Sequence, residues 1–383
     1  VSAPLDGVVV ADFSRVLAGP LATMTLADLG ARVIKIERPG SGDDTRAWGP
    51  PYAESGMTTY FESANRGKES IALDLTADAD RERAHAIIAR SDIVIENFRP
   101  GLFERLGFGW DSLSDLHPRL VYVSVSGFGL DEGASLPGYD FVAQAVGGLM
   151  HITGEADGEA MKAGVALVDV LTGKDAVIGI LAALRRREAT GRGSRIDVNL
   201  LSSLQAALVN QVSAHLGAGA EPVRLGNRHP SIAPYEVLRC ADGPVAVACG
   251  NDAQFARLAD ELGRPELAAD PRFLHNPDRV ARREDLVAEL ERALATGTAA
   301  AWADRLNLVG VAAGEVNSIG DGIALAERLG LDPLLETLGA DGRRSRQIRS
   351  PLSWTPRLPV SVAAPPRLGE HDSRVRDWLD GTD

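Results

Sequence analysis

Two cysteines in 383 residues are too few for a disulfide framework. Cys240 and Cys249 fit no zinc-ligand spacing, so the expected reading is two reduced, mostly buried thiols. No apolar run approaches the roughly 20 residues that span a bilayer. The first twelve residues lack a basic start followed by a signal-like apolar stretch, which makes the cytoplasm the expected location. Basic residues are also in short supply. Lys and Arg total 40 against 53 Asp and Glu, a net charge of −13. That balance argues against general binding to nucleic acid or membrane surfaces. It leaves room for an anionic small molecule held by a few local arginines.

Several signatures are missing as well. The turn after the first predicted strand reads Ser14-Arg15-Val16-Leu17-Ala18-Gly19, without the G-x-G-x-x-G of dinucleotide folds, although the second strand ends in the acidic Glu37. Thr172-Gly173-Lys174 resembles the end of a P-loop. The upstream glycine position holds Val168, however, and Asp175 follows the lysine. There is no H-E-x-x-H, no C-x-x-C and no G-x-S-x-G. The seven histidines are scattered, so no metal site is expected.

What remains is a chain with a substantial core, 45% hydrophobic and 24% charged, long enough for two or three domains. Val8–Phe13 reads as a buried strand, Leu21–Leu29 as a helix with Pro20 near its first turn, and Ala31–Glu37 as a second strand. Strands at Ser70–Leu75, Asp92–Glu96 and Leu120–Val125 and a helix at Asp78–Arg90 continue the alternation. The pattern predicts a doubly wound α/β layer. Lys174–Arg187 is a helix, Arg195–Asn199 a strand and Leu200–Leu216 one long apolar helix. Gly217–Pro234 reads as a linker, 235–316 as a small α+β domain, and the tail from Ser350 as extended until a short helix at Ser373–Leu379.

Asp169 is the residue that asks for an explanation. It is the lone carboxylate in the apolar run Gly164–Gly173, just before a strong helix pattern. It is either a helix cap or a carboxylate nucleophile kept ionised by helix N–H groups. The loops after the predicted strands carry Arg15, Arg38, Arg99 and, one turn into the next helix, Arg105. In open α/β sheets such loops gather at one edge, where guanidinium groups suit phosphate oxygens.

Together these segments resemble the class III coenzyme A transferases, the family of formyl-CoA transferase and carnitine CoA-transferase. The resemblance is carried by Phe13–Pro20, Leu26–Ala31, Val33–Gly40, Asn65–Lys68, Glu96–Gly101, Gly138-Tyr139-Asp140 and Leu368–His371, in that order along nearly the whole chain. It implies that Asp169 is the catalytic aspartate. It implies CoA contacts at Val16, Ala18, Arg38, Leu73, Asp74, Leu75, Thr76, Asn97, Phe98, Arg99 and Arg105. Leu17, Trp48 and Tyr139 would line the substrate pocket. The implied activity moves CoA from an acyl-CoA donor to a free acid through an aspartyl anhydride and an aspartyl-CoA thioester. Coenzyme A is then a substrate, with no resident cofactor and no metal. The implied fold is a Rossmann-like large domain built from residues 1–216 and 317–383, plus the small domain, in an interlocked ring homodimer.

The chain departs from formyl-CoA transferases at several points. Thr76 and Pro137 stand at or near lysine positions, Leu17 replaces a glutamine, and 225–235 lacks their glycine run. The pocket is expected to take a larger or less polar acid than formate or oxalate. Two other readings are an α-methylacyl-CoA racemase and a CoA-binding protein without activity. The racemase needs a base, and its Gly-His-Asp is Gly138-Tyr139-Asp140 here.

Overall fold

A computed structural model describes residues 2–359 and 362–382. The chain divides into two compact units, one formed by 1–149, 162–220 and 332–383, the other by 150–161 and 221–331.

The first unit is organised by six parallel strands: β1 (Val9–Asp12), β2 (Arg32–Glu37), β3 (Lys68–Ala72), β4 (Ile93–Glu96), β5 (Val121–Ser126) and β6 (Ser194–Asn199). Their order is β3-β2-β1-β4-β5-β6. Strands covered on both faces must be apolar at successive positions, which is why they read as runs rather than alternations. Val10, Val33, Ile93, Ile95, Val121 and Val123 point to one face. There they pack on α1 (Ala18–Asp28) and on a long helix, Leu167–Thr190. Ala11, Ile34, Ile71, Val94 and Tyr122 point to the other face. They meet Phe103, Phe108 and the helix Asp78–Ala89.

In chain order the helices that matter after α1 are α2 (Thr59–Glu62), α3 (Asp78–Ala89), α4 (Leu102–Arg105), α5 (Asp140–Val146), α6 (Leu167–Thr190), α7 (Leu200–Ala207) and α8 (Val209–Ala218). Two expectations are corrected. The single helix over 200–216 is two, because Val209 adopts φ +37 and breaks the ladder. The helix expected from Lys174 begins seven residues earlier, so Asp169 lies in its first turn, not at the end of a strand.

In the second unit the antiparallel strands β7 (Tyr235–Arg239), β8 (Pro244–Ala248) and β9 (Ala312–Glu315) pack with their helices around Phe255, Phe273, Leu290 and Trp302. Cys249 lies in this core and its thiol is pushed up to about 12 by burial, which makes it inert as a nucleophile.

The returning chain rejoins the first unit as a hairpin, β10 (Leu334–Leu338) and β11 (Arg344–Ile348), and a helix, α9 (Asp372–Asp380). It closes the open edge of β3. The Ser70 amide donates to His371 Nδ1, the Ala72 amide to Asp372 Oδ1 and the His371 amide to the Ser70 carbonyl. A bare parallel edge would invite pairing with another chain. Among the described residues no helix is long and apolar enough to cross a membrane.

Candidate active site

Strand order reverses between β1 and β4, so the loops leaving these two strands part and form a crevice at their carboxyl ends. The side chain of Asn97 bridges that point. Its Oδ1 accepts the Arg15 amide at 2.8 Å and its Nδ2 donates to the Arg15 carbonyl at 2.7 Å. Arg15 lies over the Phe98 ring, 5.5 Å from the centroid, and Phe98 stacks on Phe103. Asp44 draws Arg15 and Arg38 together, accepting from each at 3.0 Å.

Beneath these loops is a fully buried set of charges. Lys68 Nζ donates to Asp12 Oδ2 (3.1 Å), the Pro20 carbonyl and Asn65 Oδ1. Lys35 Nζ donates to Asp43 Oδ2 (2.9 Å) and the Ser14 carbonyl. Burial alone would raise the Asp12 carboxyl, but Lys68 and Lys35 hold it below the usual range. Lys68 is pulled down to about 8, by burial first. Asp43 is lowered to about 2 despite its burial, by Lys35 and the Thr45 amide. Asp43 also accepts the amide of Val16, whose φ is +70. A β-branched residue avoids that conformation. The ion pairs therefore help hold a strained loop in place. Glu37 is spent in the same network, paired with Arg46 at 2.7 Å and accepting from Ser70, so it is not free for a ribose.

The helix that carries Asp169 packs against the turn that follows β1. A side chain at Gly173 would meet the Ala18 carbonyl at 2.7 Å, so α6 crosses the start of α1 closely. Asp169 lies one turn before Gly173, on the same face. Its own side chain does not cap the helix. The cap is Asp140, whose Oδ1 accepts the amides of Val168 (2.7 Å) and Asp169 (3.2 Å). The Val170 amide is bonded to the Ala166 carbonyl. These first amides are thus engaged, which corrects the idea that they hold Asp169 ionised. Its half-buried carboxyl is instead pushed up to about 7, by burial and then by the charge of Asp140. The phenol of Tyr60, on α2, is raised by burial and by Asp169, Asp140 and Asp43, which puts it in the same group; its ring meets Trp48 edge-on at 5.2 Å.

A second carboxyl, Glu96, is also pushed up to about 7 by burial. It is only 4% exposed and accepts the Ser124 hydroxyl and the Phe98 amide. Asp169 is the one of the two that retains open surface.

The other residues expected at the site fall into three groups. Val16, Leu17 and Ala18 form the turn into α1, with Ala18 buried. Leu73 packs in the core, Leu75 packs partly against it, and Asp74 accepts both the amide and the hydroxyl of Thr76. Arg38, Arg99, Arg105 and Tyr139 are exposed. Asp140, Gln144 and Tyr60 were not singled out as site residues from sequence. Asp140 stood in a recognised motif without a role, and Tyr60 carries no local signal.

A large cavity in this unit lies elsewhere. About 1090 Å³ opens between α1, α6 and the β10–β11 hairpin, lined by Leu21, Met24, Val177, Ile178, Ile348 and Leu352 among others. Asp169 does not line it.

The model of CoA-transferase family III matches residues 5–372. The chain is 42% identical to an acetyl-CoA:oxalate CoA-transferase from Acetobacter aceti, over 88% of this chain and 86% of the relative. It is 40% identical to a succinate–glutarate CoA-transferase from Agrobacterium fabrum (97% and 94% covered) and 38% identical to a succinyl-CoA:glutarate CoA-transferase from Mus musculus (97% and 85%). Its fold matches a crystal structure of a CAIB/BAIF family protein from Brucella suis, with a TM-score of 0.88, 40% identity and 99% and 100% of the two chains covered. A half-buried carboxylate on a helix that packs against the turn after β1 thus stands in a sequence related over nearly its whole length to enzymes named CoA-transferases, and the chain belongs to CoA-transferase family III.

Proposed function

We propose that this CoA-transferase works through Asp169 as a covalent nucleophile. The carboxylate attacks the donor thioester carbonyl. The aspartyl C–O bond forms, the C–S bond breaks, and CoA leaves as the thiolate. The thiolate then attacks the Asp169 carbonyl and releases the donor acid, leaving an aspartyl-CoA thioester. The acceptor carboxylate runs the same two steps in reverse and restores Asp169. One thioester is consumed and one is made, so the exchange is close to balanced overall and needs neither ATP nor a resident cofactor. The observation that carries this reading is a solvent-reachable carboxyl, pushed up to about 7, on the helix face that meets the Ala18 turn.

The CoA nucleotide is placed over the loops 15–18, 38–44 and 97–105, where Arg15 and Arg38 are gathered by Asp44 and where Arg99 and Arg105 are exposed. The three relatives named above each act on a dicarboxylic acid by name, and dicarboxylic acids are the acceptor class we infer. That includes acids as small as oxalate, against the expectation drawn from Leu17. Association of two copies is supported by the apolar cavity between α1, α6 and β10–β11 and by Ile178 at its edge, 66% exposed. An interlocked homodimer would cover it.

Incubation with succinyl-CoA, with no acceptor, is expected to add mass to the peptide that contains Asp169, and hydroxylamine is expected to release it. If wild-type protein that turns over succinyl-CoA yields no such adduct, nucleophilic catalysis at this position is ruled out.

A further inference from the structure

Where α6 begins is decided by two side chains outside it. Asp140 Oδ1 takes the amides of Val168 and Asp169, and its Oδ2 accepts Gln144 Nε2 at 2.6 Å. Gln144, fully buried, accepts the Ala163 amide at 2.8 Å and so fixes the segment that leads into the helix. Asp140 is itself held from β5, because Gly138 packs backbone to backbone on Gly127, leaving no room for a side chain at either. If Asp140 held this helix one residue out of register, Asp169 would be turned by about 100° about its axis, away from the Ala18 face.

We propose that Asp140 is a positioning residue for the nucleophile: it sets the rotation of Asp169 through two amides, and its charge favours acylated Asp169 over the free carboxylate. This rests on Asp169 being the nucleophile. Two carboxylates held together repel. When Asp169 attacks a thioester, the new aspartyl C–O bond takes up the carboxylate electrons and the breaking C–S bond sends them out on CoA thiolate. Negative charge moves from beside Asp140 to the leaving group. Acylation relieves the repulsion as protonation would, and the carboxyl of Asp169, raised by burial first, is raised further by the charge of Asp140. The titratable groups that act with Asp169 are Asp140 from α5 and the Tyr60 phenol from α2. A cap with no role in the reaction would have served equally well as serine or asparagine, which carry no charge.

The test compares wild type, Asp140→Asn and Asp140→Ala with succinyl-CoA as probe. Asparagine keeps an oxygen for the two amides and removes the charge. Alanine removes both, and it avoids setting an asparagine amide against that of Gln144. Three quantities are read: the acid limb of kcat/KM, the fraction of chain carrying the Asp169 adduct, and the melting temperature. With Asp140→Asn the acid limb is expected to move down by about one pH unit and the adduct fraction to fall about tenfold. With Asp140→Ala the same shift is expected, with kcat down about a further 100-fold from lost orientation. An Asp140→Asn protein with wild-type acid limb and adduct fraction overturns the proposal. So does a loss of activity in both variants that only follows a lower melting temperature, with the acid limb unmoved. Absence of any adduct in active wild type overturns the nucleophile reading and this inference together. An adduct in wild type that is unchanged by Asp140→Asn removes Asp140 alone.

Discussion

Asp169→Ala is expected to lower CoA transfer on the order of 10⁴-fold or more, as removal of a covalent nucleophile does. Binding of CoA, measured by calorimetry, is expected to stay within about twofold, because the loops 15–18, 38–44 and 97–105 are left intact. Turnover near wild type in that variant would end the assignment. Asp169→Asn adds a stability signature. The carboxyl stands near 7 in the folded protein against an ordinary value of 3.8. A raised carboxyl binds its proton more tightly when folded, so the ionised form costs stability. The cost is absent at low pH, grows as pH rises from about 4 towards 7, and stays constant above that. Asp169→Asn is therefore expected to be inactive and yet more stable than wild type at pH 8, by roughly 1–2 kcal/mol after allowing for partial exposure, and no more stable at pH 4. Equal melting temperatures at pH 8 would contradict the raised carboxyl. A site that is costly when empty and relieved when acylated is the pattern expected of function traded against stability.

Asp12→Ala is expected to be the most destabilising single change near the site. It leaves Lys68, with no side-chain exposure, without its carboxylate, and removes the acceptor of Ser14 and Thr23. Breaking one side of a buried pair costs about 3–5 kcal/mol, since the other charge stays behind. For a unit of this size that is a fall of about 10 °C in melting temperature. The pH dependence separates this cause from lost packing. Lys68 stands at about 8 when folded, below its ordinary 10.5. A lowered lysine releases its proton on folding, so stability rises with pH between the folded and unfolded values. Without Asp12 the folded value drops further and the window opens lower. The gap between variant and wild type is expected to narrow from pH 7 to pH 9. A gap that stays constant would mean that Lys68 is not the source.

The same buried ions explain which parts of the fold could be read from sequence. Strands β1, β2, β4 and β5 were legible to within two residues because each is buried on both faces and has to be apolar. Strand β3 was expected from Ser70 and starts at Lys68. A lysine followed by a glutamate gives no strand signal, and Lys68 enters the core only because Asp12, 56 residues away, neutralises it. The early start of α6 was hidden for a related reason. Helix starts are found by a local cap, and this one is supplied by Asp140, 28 residues upstream of Val168.

Local chemistry therefore determined the parallel α/β layer, the loops that carry the arginines and the identity of Asp169 as the carboxylate to watch. Those follow from side-chain type and spacing, which the chain carries with it before it folds. Tertiary structure decided that Asp169 is raised rather than kept ionised, that Asp140 holds its helix, that Tyr60 feels its charge, and that Glu37 is already paired. These depend on burial and on charges brought together across the sheet, and a carboxyl group has no fixed character until its surroundings are assembled.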